Sequence, residues 1–242
     1  MNKILTLIFS CMFCSNLCAG AVEDQLLANN LTLKAPPTGG ITGSRFDKFN
    51  SYSVIKSGDG LQIAARPKHA VAEEPVSFTM NGYRLEGINR GEWGGQLSLT
   101  GPDQIPVILS NENIVTIFQY QDAIYILSGL AHMGANNGTL YTLKNIETRP
   151  TLETVTLLPS APITVTTSEQ AIYILTYDGL VSIDHADKTP TMRILVHNAP
   201  WERFAPNSLV RIGNQFWIGM HSGVAVVTDR GYAGAESRFY GQ

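Results

Sequence analysis

The sequence predicts an all-β protein built from a repeated unit of about four short strands. The first observation is an apolar segment that occurs three times, as DAIYILSG, QAIYILTYDG and NQFWIGMHSG. The second is that Tyr125, Tyr173 and Trp217 occupy matching places in these copies, 48 and then 44 residues apart. The third is that further short runs rich in β-branched residues, such as PITVTT and NSLVRIG, are bounded by Asn, Ser, Pro or Gly. Such runs are typical of strands.

A recurring glycine gives the register of the repeat. It occurs as Gly138, Gly179 and Gly223, spaced by 41 and 44 residues, and Gly95 lies 43 residues before the first of them. A period of roughly 40 to 45 residues that holds about four strands is typical of a β-propeller blade. The sequence therefore predicts a β-propeller of about five blades, and a two-sheet β-sandwich is the alternative architecture.

The chain divides into three predicted parts. Residues 1–21 contain one cation, Lys3, then an apolar run and small residues ending at Ala21, which is the pattern of a secretory signal peptide. Residues 22–50 are rich in Asn, Thr, Pro and Gly, and this composition predicts an irregular lead-in that could hold one strand. Residues 51–242 are predicted to form the propeller domain. Its fifth blade is assembled from the strands of 51–67 and from the N-terminal portion, which could add one strand that closes the ring.

The signal peptide predicts a periplasmic or secreted protein. All three cysteines, Cys11, Cys14 and Cys18, lie within it, so a chain cleaved after Ala21 depends on its core and not on disulfides. A lipid anchor on Cys18 is the alternative. The apolar run is shorter than the roughly 20 residues of a membrane-spanning helix, so we expect a protein that does not span the membrane. We also expect a monomer.

The third copy of the repeat resembles a known class. FWIGMHSGVAVV, residues 216–227, is similar to the repeat of bacterial periplasmic sensor propellers, in which an aromatic-Trp-Ile-Gly strand precedes a Gly-apolar strand. The copies near Ile124 and Ile172 are less similar, and the resemblance does not extend to residues before Gly82. It implies blade geometry and leaves the function open.

The composition and the motifs exclude several functions. The 17 Lys and Arg residues are outnumbered by 20 Asp and Glu, and no basic cluster is present, so we expect no nucleic-acid partner. The sequence contains no HExxH, paired CxxC, P-loop or dinucleotide-binding motif. We therefore predict no cofactor and no metal.

The repeat itself predicts a binding face. In an antiparallel blade, the loops between the second and third strands lie at the same end as the connections from one blade to the next. Trp93 and Trp201, with Arg203, are the predicted anchors of this face, because aromatic residues and arginine dominate binding surfaces. Trp217 lies in a strand and is predicted to be core. The predicted binding residues are Arg90, Glu92, Trp93, His132, Tyr177, Asp178, Trp201, Arg203 and His221.

These features favour a non-enzymatic binding protein of the bacterial envelope. We expect a protein partner, with an inhibitor or an immunity protein as the preferred role, because a propeller face supplies a shaped surface with aromatic anchors. A glycan-binding or sensor-type propeller is one alternative. The other is a small periplasmic hydrolase in which His132 or His221 acts with Glu92 or Asp178 as general acid and base.

Overall fold

The fold was described from a computed structural model, in which residues 22–35, 50–58, 60–66, 75–184 and 189–242 are defined. The predicted signal peptide, with Cys18, lies outside these residues. Within this part of the chain, nineteen strands, β1 to β19, form five antiparallel sheets. No helix in the described ranges is long and apolar enough to cross a membrane.

The chain separates into two compact units. Among the described residues, 22–35, 50–58, 60–66 and 203–242 belong to the terminal unit, and 75–184 and 189–202 belong to the central unit. The strands of the terminal unit are β1 (Thr32–Lys34), β2 (Ser51–Ser57), β3 (Gly60–Arg66), β16 (Ser208–Ile212), β17 (Gln215–Met220), β18 (Gly223–Asp229) and β19 (Ala235–Gly241). The first blade of the central unit contains β4 (Val76–Met80), β5 (Tyr83–Asn89), β6 (Gly95–Thr100) and β7 (Pro106–Ser110). The second contains β8 (Ile114–Tyr120), β9 (Ala123–His132), β10 (Ala135–Lys144) and β11 (Thr151–Leu158). The third contains β12 (Pro162–Thr167), β13 (Ala171–Thr176), β14 (Gly179–Asp184) and β15 (Thr191–Val196).

The three blades of the central unit share one strand topology and one irregularity. In each, four consecutive strands pair with their chain neighbours. The pairing of the third strand with the fourth skips one residue of the fourth strand, and this residue is Leu109, Val155 or Leu195. Such an extra residue bends the strand and increases its twist. The repeat seen in the sequence is therefore matched by a repeat of local backbone geometry.

The terminal unit contains the other two sheets. Strands β16 to β19 form a four-stranded meander, and β1 from the lead-in pairs with β19 as a fifth strand. Residues 51–67 are predicted to contribute to a blade of about four strands, but among the described residues β2 and β3 form a two-stranded sheet. Five separate antiparallel sheets match the predicted all-β propeller class, whereas a sandwich would need two.

Residues 36–49 of the predicted lead-in lie outside the described residues. The part that precedes them is more regular than predicted, because residues 22–28 are helical. Val22 and Leu26 are buried in the same apolar cluster as β2 and β3. Gln25 Oε1 accepts a hydrogen bond from Ile63 N at 3.3 Å, and Asn29 Nδ2 donates one to Ile63 O at 3.1 Å. These side chains bond backbone groups of β3 that a further strand would otherwise pair.

The repeated aromatic and glycine positions are structural. Tyr125, Tyr173 and Trp217 are each the third residue of the second strand of a blade, and all three are buried, as predicted. The Trp217 ring stacks on Tyr240 with 6.4 Å between ring centroids. A Cβ atom on Gly95 would collide with the carbonyl oxygens of both Ile88 and Glu112. The glycine thus permits the connection between blades to approach the start of a third strand.

Candidate functional site

Trp93, the more exposed of the two predicted tryptophan anchors, lies on a short turn of the central unit. Between β5 and β6 the chain forms a single 3₁₀ turn, Gly91–Trp93. Gly91 N donates a hydrogen bond to Asn89 Oδ1 at 3.0 Å, and Arg90 N donates one to Gly94 O at 3.0 Å. Gly91 and Gly94 have φ angles of 58° and 78°, a region that favours glycine. We call residues 90–94 the Trp93 turn, and the Trp93 side chain on it is 79% exposed.

A buried asparagine from the next blade fixes this turn. Asn113 is 7% exposed, and its Oδ1 accepts a hydrogen bond from Arg90 N at 3.1 Å. Its Nδ2 donates to Gly91 O at 2.7 Å. The backbone oxygen of Asn113 accepts from Gly129 N on β9 at 3.0 Å. One residue therefore joins the Trp93 turn, the connection between β7 and β8, and strand β9.

An ion pair makes a second link between the turn and β9. His132 Nε2 lies 2.7 Å from Glu92 Oε2, and the two side chains are 39% and 43% exposed. His132 is the last residue of β9, whereas the sequence placed it in a loop. The structure thus brings together two of the predicted residues. A pair this exposed contributes at most about 1 kcal/mol to stability.

A polar groove lies beside the Trp93 turn. We call it the Glu112 groove, and its volume is about 320 Å³. Glu112 Oε2 accepts a hydrogen bond from Ser128 Oγ at 2.5 Å, and Oε1 accepts one from the Tyr141 hydroxyl at 2.8 Å. Burial, and then the hydrogen bond to Glu112, raise the pKa of Tyr141. The groove is lined by Gly94, Asn111, Glu112, Asn113, Ser128, Gly129, Leu130, Asn137, Gly138 and Thr139.

Sequence reasoning missed Glu112, although a signal for it was present. The connection between β7 and β8, residues 111–113, joins one blade to the next. The sequence predicts that connections between blades lie on the binding face. Because residues 111–113 form such a connection, this prediction already places Glu112 on that face. Its contacts with Ser128 and Tyr141, 16 and 29 residues further along the chain, come only from the fold.

Tyr177 and Asp178 form the predicted turn between β13 and β14. Tyr177 is 37% exposed, and its N–H donates to Ala161 O at 2.8 Å. Asp178 is half-buried, and its backbone oxygen accepts from Ala199 N at 2.7 Å. The backbone of this turn is thus held by two neighbouring connections, and the Tyr177 ring remains accessible.

The prediction that Trp201 is a surface anchor is wrong. Trp201 is 3% exposed and Phe204 is 1% exposed, so the Pro200–Phe204 turn leaves both aromatic side chains buried. Arg203 in the same turn is exposed. Charged neighbours in a connection indicate an exposed side chain, but burial of a large aromatic surface is favourable and here prevails.

His221 and Arg203 belong to the terminal unit. His221 occupies the predicted turn between β17 and β18, and its N–H donates to Phe204 O at 2.7 Å. Burial, and then the positive charge of Arg66, lower the pKa of His221. That these two residues share a face with Trp93 stays a prediction.

Comparison with known proteins gives no family. No family model and no curated protein matches the chain. Among solved structures, the N-terminal domain of Nup159 is 10% identical with a TM-score of 0.43, and the match covers 67% of this chain and 46% of that one. The AtxE2 isopeptidase with bound astexin3 is 12% identical with a TM-score of 0.37, covering 65% of this chain and 26% of that one. This chain thus spans less than half the length of each of the two solved structures it matches. At these scores neither similarity carries an argument, and the fold assignment rests on the chain's own sheets.

Proposed function

We propose that this protein is an exported, non-enzymatic binding protein of the bacterial envelope, which blocks a protein partner through the face that carries Trp93. The observation that carries the proposal is Trp93 itself, which is 79% exposed on a turn fixed by hydrogen bonds. Tryptophan is among the residues that contribute most to binding when a partner buries them. A side chain on a fixed turn also loses little conformational freedom on binding, which favours affinity.

The residues around Trp93 fit a contact surface. Arg90 and Glu92 precede it on the turn, and both are exposed. Met133, in the turn between β9 and β10, is 92% exposed and adds a flexible apolar side chain. An aromatic residue with a polar rim and an adaptable methionine is the kind of surface that protein partners cover.

One observation favours a hydrolase as the second candidate. The Glu92 carboxylate and the His132 imidazole lie 2.7 Å apart at their nearest atoms, and a carboxylate that orients a histidine is a common arrangement for a general base. The two candidates differ in what they require of His132. A hydrolase needs the imidazole for turnover, whereas a binding protein retains partner capture in His132→Gln.

The proposal is tested by capture from envelope extract with residues 22–242 as bait, followed by mass spectrometry. The matched variants are Trp93→Ala and Tyr232→Ala. Tyr232 is fully exposed on the Gly231–Ala233 turn, in which Arg230 N donates to Gly234 O at 2.9 Å, as Arg90 N does in the Trp93 turn. We expect Trp93→Ala to lose a partner that the parent chain and Tyr232→Ala both retain, with unchanged melting curves. Equal capture by all three proteins would contradict the proposal.

A further inference from the structure

The Glu112 carboxylate is held in a defined orientation. Ser128 Oγ and the Tyr141 hydroxyl each donate to one of its oxygens, and Ser128 is 2% exposed. The backbone is held as well, because Glu112 N donates to Ser110 Oγ at 3.1 Å and the adjacent Asn113 is bonded to the Trp93 turn. Few other arrangements are therefore open to this side chain.

The charge of Glu112 is not balanced within the groove. Its two partners are neutral hydroxyls, and no Lys, Arg or His is among the described residues that line the groove. A carboxylate offers about four lone-pair sites, of which the two hydroxyls use one on each oxygen. Acceptors on both oxygens therefore remain for a ligand. A positively charged donor suits them best, because a hydrogen bond to a carboxylate is stronger when its donor is also charged.

A metal ion fits these groups poorly. Calcium takes six to eight oxygen ligands, usually from several carboxylates and carbonyls. The Glu112 groove offers one carboxylate, and no group of three His, Cys, Asp or Glu residues that could hold a metal occurs in the described ranges. An organic cation needs one carboxylate and several neutral acceptors. Asn111, Asn137 and Thr139, whose side chains contain such acceptors, are among the residues that line the same groove.

We propose that the Glu112 groove binds the guanidinium group of an arginine side chain on the protein partner. A guanidinium carries five N–H donors in a planar fork, which suits a fixed carboxylate with amide and hydroxyl oxygens around it. Gly94 lines the groove, and Trp93, which precedes it in the turn, is 79% exposed. An exposed indole beside the groove could add a cation–π contact to the same arginine. This inference rests on the proposed function and specifies the chemistry of the partner.

The proposal is tested on the chain alone, with peptides in place of the partner. Amide NMR signals of residues 22–242 are followed while acetyl-Gly-Arg-Gly-amide or its citrulline counterpart is added. Citrulline has the shape of arginine without the charge. We expect the arginine peptide to shift the amides of Gly94, Ser128 and Asn137 saturably, and the citrulline peptide to bind about tenfold more weakly or not at all.

The variants separate charge from shape. Glu112→Gln keeps the size of the side chain and should weaken arginine binding about tenfold. Tyr141→Phe keeps the charge but removes one positioning hydroxyl, so a smaller, few-fold loss is expected. Glu153→Gln removes an exposed carboxylate from β11 of the same blade and should leave binding unchanged. If Glu112→Gln does not fold, the citrulline comparison and Tyr141→Phe still decide the question.

Three results would overturn the inference. They are equal shifts with arginine and citrulline peptides, unchanged arginine affinity in Glu112→Gln, and saturable shifts of the same amides by the neutral disaccharide N,N′-diacetylchitobiose but not by arginine. The last result would make the groove a glycan site. Because none of these titrations uses a captured partner, their failure is distinct from failure of the proposed function.

Discussion

Asn113 is the residue that our account makes responsible for holding Trp93 in place, and its removal is the most informative perturbation of the fold. Asn113→Ala deletes the hydrogen bonds to Arg90 N and Gly91 O, at 3.1 and 2.7 Å. Leaving a buried polar group without its partner costs about 1–3 kcal/mol. Here each group keeps a second partner, since Arg90 N also donates to Gly94 O and Gly94 N donates to Gly91 O. We therefore expect a loss of about 1–2 kcal/mol in the free energy of unfolding.

The loss is measured by denaturant unfolding, followed by far-ultraviolet circular dichroism. Asn111→Ala is the matched control for stability, because Asn111 is exposed and lies two residues away. It should stay within about 0.5 kcal/mol of the parent chain. An Asn113→Ala variant that is as stable as Asn111→Ala would refute the view that this asparagine fixes the Trp93 turn.

The same substitution should also weaken partner binding with Trp93 still present. A turn that is no longer fixed lets the indole sample more orientations, and ordering it on binding then costs more. In a double-mutant cycle, Asn113→Ala should cost much less affinity when Trp93 is already Ala than when it is Trp. Additive effects of the two substitutions would contradict this link.

Three further predictions concern stability and processing. Trp217→Ala should lower the free energy of unfolding by about 3–5 kcal/mol, or prevent folding, because Trp217 is buried and stacks on Tyr240. A variant of near-parental stability in denaturant unfolding would show that the ring contributes little. Burial and Arg66 lower the pKa of His221 in the folded state, so the stabilising contribution of His221 is present above its ordinary pKa of 6.5 and is lost on acidification through the folded pKa. Between about pH 8 and 5, the free energy of unfolding should therefore fall more steeply for the parent chain than for His221→Gln. Equal slopes in denaturant unfolding would contradict the assignment. When the full chain is expressed in a bacterial host, cell fractionation should find the protein in the periplasm or medium, and its N-terminal sequence should begin at Val22. Retention of Met1 would contradict the export assignment.

The repeat and its core positions could be predicted from the sequence because their signal is local and periodic. Tyr125, Tyr173 and Trp217 recur at the same strand position, and Gly95 recurs with its counterparts because a Cβ atom would meet backbone there. Strand periodicity sets the positions of the aromatic residues, and the lack of room for a side chain sets the position of the glycine. Both leave a signal that recurs in the sequence of each repeat.

The misses arise where tertiary contacts decide the outcome. Helical residues 22–28 form a segment too short to be stable alone, and its place depends on burial of Leu26 and on the bond from Ile63 N to Gln25. Trp201 is buried although its sequence neighbours are charged. Glu112 acquires its orientation from Ser128, a contact that no local pattern encodes.

The central claim is that Trp93 contacts the partner. The most direct test is calorimetric titration of the captured partner with residues 22–242 of the parent chain, of Trp93→Ala and of Tyr232→Ala. The account predicts that Trp93→Ala weakens binding by about 2 kcal/mol or more, which is about thirtyfold, whereas Tyr232→Ala binds like the parent chain. A Trp93→Ala chain that is folded and binds with parental affinity would contradict the account.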